Sequence, residues 1–81
     1  MSENMKLFYL EQFYKSYCYI ESTKKDIKEL TDKLLNYVAD YETYKDIISL
    51  TSDKIRNLSR LVEIEKSIIE DLRKKIEESE R

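Results

Sequence analysis

Residues 52–79 read SDKIRNLSRLVEIEKSIIEDLRKKIEES, and apolar side chains return in this stretch at intervals of three and four positions. Such spacing puts them on one face of an α-helix and leaves the charged residues on the other face. The apolar face of this segment comprises Ile55, Leu58, Leu61, Val62, Ile68, Ile69, Leu72 and Ile76. The pattern predicts an amphipathic helix over 52–79 whose apolar face packs against another helix.

A seven-residue repeat extends from this segment through almost the whole chain. Heptad position a is apolar or aromatic in every repeat from 13 to 76: Phe13, Ile20, Ile27, Leu34, Tyr41, Ile48, Ile55, Val62, Ile69 and Ile76. Position d is mixed: Ser16, Thr23, Leu30, Tyr37, Tyr44, Thr51, Leu58, Glu65, Leu72 and Ser79. Because a straight α-helix drifts against a seven-residue repeat, this constant phase predicts a left-handed supercoil, or separate helices that share one register.

The composition supports the same fold class. The chain contains no glycine and no proline, the two residues that most often end helices and build tight turns. Charged residues make up 40% of the sequence and hydrophobic residues 41%, a mixture typical of long amphipathic helices. We therefore predict an all-α protein in which residues 1–81 form a single coiled-coil or helical-bundle domain.

Two places in the sequence tolerate an interruption of the helix. Hydroxyl residues cluster in Ser49-Leu50-Thr51-Ser52-Asp53, and such clusters are common in turns. This favours one break at 49–53 in an otherwise long helix. The alternative is a monomeric hairpin or three-helix bundle with breaks near Ser22 and Thr51, because the segment 21–26 resembles a capping box.

The apolar column predicts self-association of the chain. A chain of this length buries little core on its own, and oligomerisation is a common remedy. We expect a coiled-coil dimer or larger homo-oligomer, and the pattern leaves the number and direction of its strands open. The expected oligomer contacts are Ile27, Leu34, Tyr41, Ile48, Ile55, Leu58, Val62, Ile69, Leu72 and Ile76.

The sequence argues against most kinds of chemistry. It has no histidine, the commonest general base, and its lone Cys18 has no histidine to activate it. Phosphate-binding loops need glycine. The net charge is −2 and basic residues alternate with acidic ones, unlike the basic face of a nucleic-acid binder. We expect no enzyme activity, cofactor, metal, small-molecule substrate or direct nucleic-acid contact.

The sequence also lacks the usual membrane signals. Its first residues, MSENMKLFYL, do not have the basic start and apolar core of a signal peptide. No apolar run approaches the ~18 residues of a membrane span. These observations predict a cytoplasmic protein that does not bind membranes.

Aromatic residues concentrate near the N-terminus and wrap more than one side of a helix. They either cap the end of a bundle or form a docking surface, since tyrosine is enriched at binding hot spots. The residues expected to dock a partner are Phe8, Tyr9, Phe13, Tyr14 and Tyr17.

The sequence favours a non-enzymatic protein-interaction module, either a coiled-coil oligomer or an adaptor that docks through its aromatic end. The alternative is a small helical regulator or inhibitor, of the kind that phages and other mobile elements encode. Such a protein would bind and occlude a larger enzyme or a nucleic-acid-handling complex.

Overall fold

A computed structural model describes residues 3–80, which form an antiparallel hairpin of two long α-helices. Helix α1 spans Glu3–Val38 and helix α2 spans Tyr41–Ser79. The hairpin is a narrow rod with extents of 60 × 14 × 13 Å. The all-α prediction is confirmed. The heptad count runs through α1, the turn and α2 without a shift in phase, although the chain reverses its direction.

The chain reverses at Ala39 and Asp40, without glycine. Asp40 has φ −131° and ψ 72°, which takes it out of the helical region. Its N–H donates to the Tyr37 carbonyl oxygen at 3.1 Å, and its own carbonyl oxygen accepts from the Tyr44 N–H at 3.2 Å. The Asp40 side chain makes no capping hydrogen bond to α2, but Glu42, an acidic residue in the first turn, complements the positive end of the helix dipole. These local features start α2.

The predicted position of the break at 49–53 is therefore wrong. Helix α2 continues through this segment, and α1 continues through Ser22. Serine and threonine carry only a modest penalty inside a helix. Thr23 shows how a hydroxyl is accommodated, because its Oγ1 donates to the Tyr19 carbonyl oxygen at 2.8 Å, one turn earlier in α1.

Positions a and d of both helices face each other inside the hairpin. The four buried residues within 3–80 are Ser16, Ile20, Thr23 and Val62, and all of them occupy these positions. The other a and d residues in this range are half-buried, except Tyr41, which is exposed beside the turn. The column expected to join two chains is thus covered by the other half of the same chain.

Side-chain contacts join the two antiparallel helices at both ends of the rod. Near the turn, the rings of Tyr37 and Tyr44 lie 5.1 Å apart. Near the open end, Lys6 Nζ lies 3.0 Å from Glu80 Oε1. The Lys75 ammonium sits 5.6 Å from the centre of the Tyr9 ring, within the range of a cation–π interaction.

Candidate protein-interaction surfaces

The hairpin leaves half of the large apolar side chains within residues 3–80 exposed to water. Within residues 3–80, Ile20 and Val62 are the only buried hydrophobic residues, and each is still 5% exposed. Each helix can turn only one face toward the other, so apolar residues at heptad positions b, c, e and g remain uncovered. The exposed large hydrophobic residues are Met5, Leu7, Phe8, Leu10, Tyr14, Tyr17, Tyr19, Leu35, Val38, Tyr41, Ile47, Leu50, Leu61, Ile64 and Ile68.

The five residues expected to dock a partner do not form one surface. Tyr9 and Phe13 are half-buried at positions d and a, on the side of α1 that faces α2. Phe8, Tyr14 and Tyr17 are exposed. Phe8 lies at position c, whereas Tyr14 and Tyr17 lie at b and e, so the two groups flank the a and d core on opposite sides. The Phe8 ring packs edge-on against Tyr9, with ring centres 5.8 Å apart.

One continuous apolar line does run along α1 and includes two of those tyrosines. We call it the α1 face: Leu7, Leu10, Tyr14 and Tyr17. The intervals of three, four and three residues place these side chains in a single row. Tyr14 is the most exposed of them, at 69%. The spacing of three and four residues identifies Leu7 and Leu10 as part of the α1 face. A search for aromatic residues alone overlooks both leucines.

A ladder of ion pairs follows the b and e positions of α2, on the side of the core where the α1 face lies. Lys66 Nζ is 3.4 Å from Glu63 Oε1. Farther along, Arg73 bridges Glu70 and Glu77, one on each side of it in the helix. The α1 face is therefore bordered by alternating positive and negative charges.

Two side-chain contacts on this side of the hairpin shift pKa values. The hydrogen bond from the Arg73 guanidinium lowers the pKa of Glu70 and raises the pKa of Arg73. A hydrogen bond with Cys18, one turn away, raises the pKa of Tyr14. The Tyr14 ring is largely exposed to solvent.

A second apolar line runs along α2 on the other side of the hairpin. We call it the α2 face: Ile47, Leu50, Leu61, Ile64 and Ile68. These residues lie at positions g and c, and Lys54 and Asn57 occupy the same positions in the middle of the line. Beside this centre, Lys54 and Leu58 form a shallow groove with Asp26, Glu29, Leu30 and Lys33 of α1.

Cys18 is exposed as a free thiol on the outer side of α1. Over residues 3–80, no three Cys, Asp or Glu side chains are grouped so as to hold a metal ion. Across the same residues, neither helix combines the length and the apolar character that a membrane crossing requires.

No protein-family model matches the chain, and neither a curated protein nor a solved structure is significantly similar to it.

Proposed function

We propose that this protein is a non-enzymatic protein-interaction module, a helical hairpin whose exposed apolar faces are covered by helices of other chains. The observation that carries the proposal is the imbalance between exposed and buried apolar side chains within residues 3–80. Large apolar patches on a soluble protein mark interaction sites. The two faces defined above supply such patches on opposite sides of one rod.

The energetics of burial support this role. Complete burial of a Leu, Ile or Val side chain contributes ~1.5–3 kcal/mol, and a half-exposed side chain still has about half of this to gain. The four residues of the α1 face are between 43% and 69% exposed. Covering them in a complex would contribute several kcal/mol, which is comparable to the whole folding stability of a small domain.

The shape of the α1 face favours an amphipathic helix as its partner. A straight row of side chains at intervals of three and four accepts the apolar stripe of another helix. Tyr14 and Tyr17 add large, rigid rings with polar ends, the chemistry that is enriched at the centres of interfaces. In this adaptor role, the α1 face captures a partner protein while the a and d core holds the hairpin together.

Site-specific photo-crosslinking tests the adaptor role in cells that naturally contain the protein. A photoreactive phenylalanine analogue at Leu10 should form a covalent adduct with one discrete protein. The matched control places the same analogue at Lys25, an exposed position on the outer side of α1. Tyr14→Ser together with Tyr17→Ser should abolish the adduct at Leu10 without reducing the helical circular dichroism signal.

The outcomes of this experiment separate the roles. The absence of an adduct at Leu10, or equal adducts at Leu10 and Lys25, would contradict docking through the α1 face. An adduct with an enzyme that loses activity when the purified hairpin is added would make the protein an inhibitor rather than an adaptor.

A further inference from the structure

We propose that the α2 face binds the α2 face of a second copy of this chain, in an antiparallel arrangement about a two-fold axis level with Ile55 and Arg56. Two hairpins joined in this way form a four-helix bundle with both α1 helices on the outside of the α2–α2 contact. The inference rests on the proposed interaction function and names the partner of one of its two faces.

Between Ile47 and Ile64, the α2 face has the same pattern of apolar and polar residues in both directions along the helix. From 47 to 64, its g and c positions are two apolar residues, then two polar residues, then two apolar residues. When two antiparallel helices meet along their g and c positions, each g residue of one copy lies opposite a c residue of the other. A two-fold interface requires such self-complementarity. The resulting layers pair Ile47 with Ile64 of the second copy, Leu50 with Leu61, and Lys54 with Asn57.

Two residues of opposite charge flank this line. Asp53 and Arg60 lie at position f, on the outer flank of the α2 face, and both are exposed. The proposed pairing puts Asp53 of one copy opposite Arg60 of the other, twice by symmetry. Within one chain, Asp53 accepts a hydrogen bond from Arg56 through Oδ1 at 3.1 Å. Oδ2 is then positioned to accept from the guanidinium of the second copy.

The central polar layer fixes both the register and the direction of the pair. A slide of one heptad in either direction would put Lys54 and Asn57 opposite leucine or isoleucine side chains. A parallel pair would put Lys54 against Lys54 of the second copy. In the antiparallel register, the aliphatic stem of Lys54 lies along the contact and its ammonium reaches the Asn57 amide or water. Polar residues at core positions specify register in this way in coiled coils.

Sedimentation velocity of the full chain tests the mass of the assembly. The monomer is 9.8 kDa, and we expect the wild type to sediment at twice that mass in the micromolar range. Leu50→Glu combined with Leu61→Glu should yield a helical monomer, because both side chains are exposed in the hairpin. Leu10→Glu, on the α1 face, is the matched control and should leave the dimer intact.

Charge exchange tests the flanking contacts without changing the apolar layers. Asp53→Arg places two arginines opposite each other at both symmetric sites and should weaken the dimer about tenfold. Adding Arg60→Asp to this variant should restore the wild-type dissociation constant. A spin label on Cys18 should give a distance between copies of about 40 Å, because the two-fold axis puts the labels at opposite ends of the α2–α2 contact.

Several results would overturn the inference. These are a wild type that is monomeric at all concentrations, a Leu50/Leu61 variant that still dimerises, dissociation by Leu10→Glu, or a Cys18 label distance near 20 Å. Failure of the α1 crosslinks with an intact dimer would instead refute the adaptor role alone, so the two proposals are tested independently.

Discussion

The rings of Tyr37 and Tyr44 pack against each other across the turn, with centroids 5.1 Å apart and planes inclined at 38°. Tyr37 is the last d residue of α1 and Tyr44 is the first d residue of α2. Their contact closes the core at the end where the chain reverses. The hairpin thus combines a turn without glycine or proline, at Ala39 and Asp40, with an aromatic pair that holds the two helix ends together.

Loss of this aromatic contact should destabilise the hairpin. We expect Tyr37→Ala to lower the free energy of unfolding by about 1–3 kcal/mol, since it removes both buried area and a ring–ring contact. Urea unfolding followed by circular dichroism, at a fixed protein concentration, measures the change. Tyr41→Ala is the matched control, because Tyr41 lies beside the same turn but is exposed. Equal losses for the two variants would contradict a structural role for the pair.

The backbone of Asp40 provides a second test of the turn. Asp40→Pro removes the N–H that donates to Tyr37 and forces φ from −131° toward −65°, so it should cost about 2–3 kcal/mol or more. Asp40→Asn keeps the N–H and the conformational preferences, and its unfolding midpoint in urea should stay close to that of the wild type. A proline variant as stable as the asparagine variant would show that the chain reverses at another position.

The residues that pack where α1 and α2 contact each other could be predicted from the sequence, whereas the position of the turn could not. Periodicity is a local property, and it correctly places Ile20, Val62 and the other a and d residues except Tyr41 on the buried side. The heptad count continues without a gap from Leu34 to Tyr41, across the turn itself. The phase of the repeat therefore does not reveal whether an apolar column meets a second chain or its own continuation.

The exposed apolar faces were only partly predictable, for a related reason. The aromatic cluster near the N-terminus identifies Tyr14 and Tyr17, which are exposed, but it also includes Tyr9 and Phe13, which are half-buried. Residue type does not say which side of a helix becomes covered. That depends on which face α2 meets, and this face is set by the position of the turn.

Thr23 and Thr31 allow a controlled test of close packing in the core. Both hydroxyls donate to the carbonyl oxygen four residues earlier, at 2.8 Å, but Thr23 is buried and Thr31 is exposed. Thr23→Leu forces a larger side chain between the helices and should cost about 1–3 kcal/mol. Thr31→Leu should change stability by less than about 0.5 kcal/mol. Thermal unfolding of both variants decides the matter, and similar melting temperatures would argue against tight packing at Thr23.

The contact of Glu70 with Arg73 predicts a pH dependence of stability. Because the guanidinium lowers the pKa of Glu70 in the folded state, the contact stabilises the hairpin above the pKa that Glu70 has when unfolded. This stabilisation is lost as the pH falls through the lower, folded-state pKa. Carbon-13 NMR titration of the glutamate carboxyl groups should show Glu70 titrating below its ordinary range. Arg73→Gln should raise that pKa toward the ordinary value, whereas Arg56→Gln should leave it unchanged, and a Glu70 pKa insensitive to Arg73→Gln would refute the assignment.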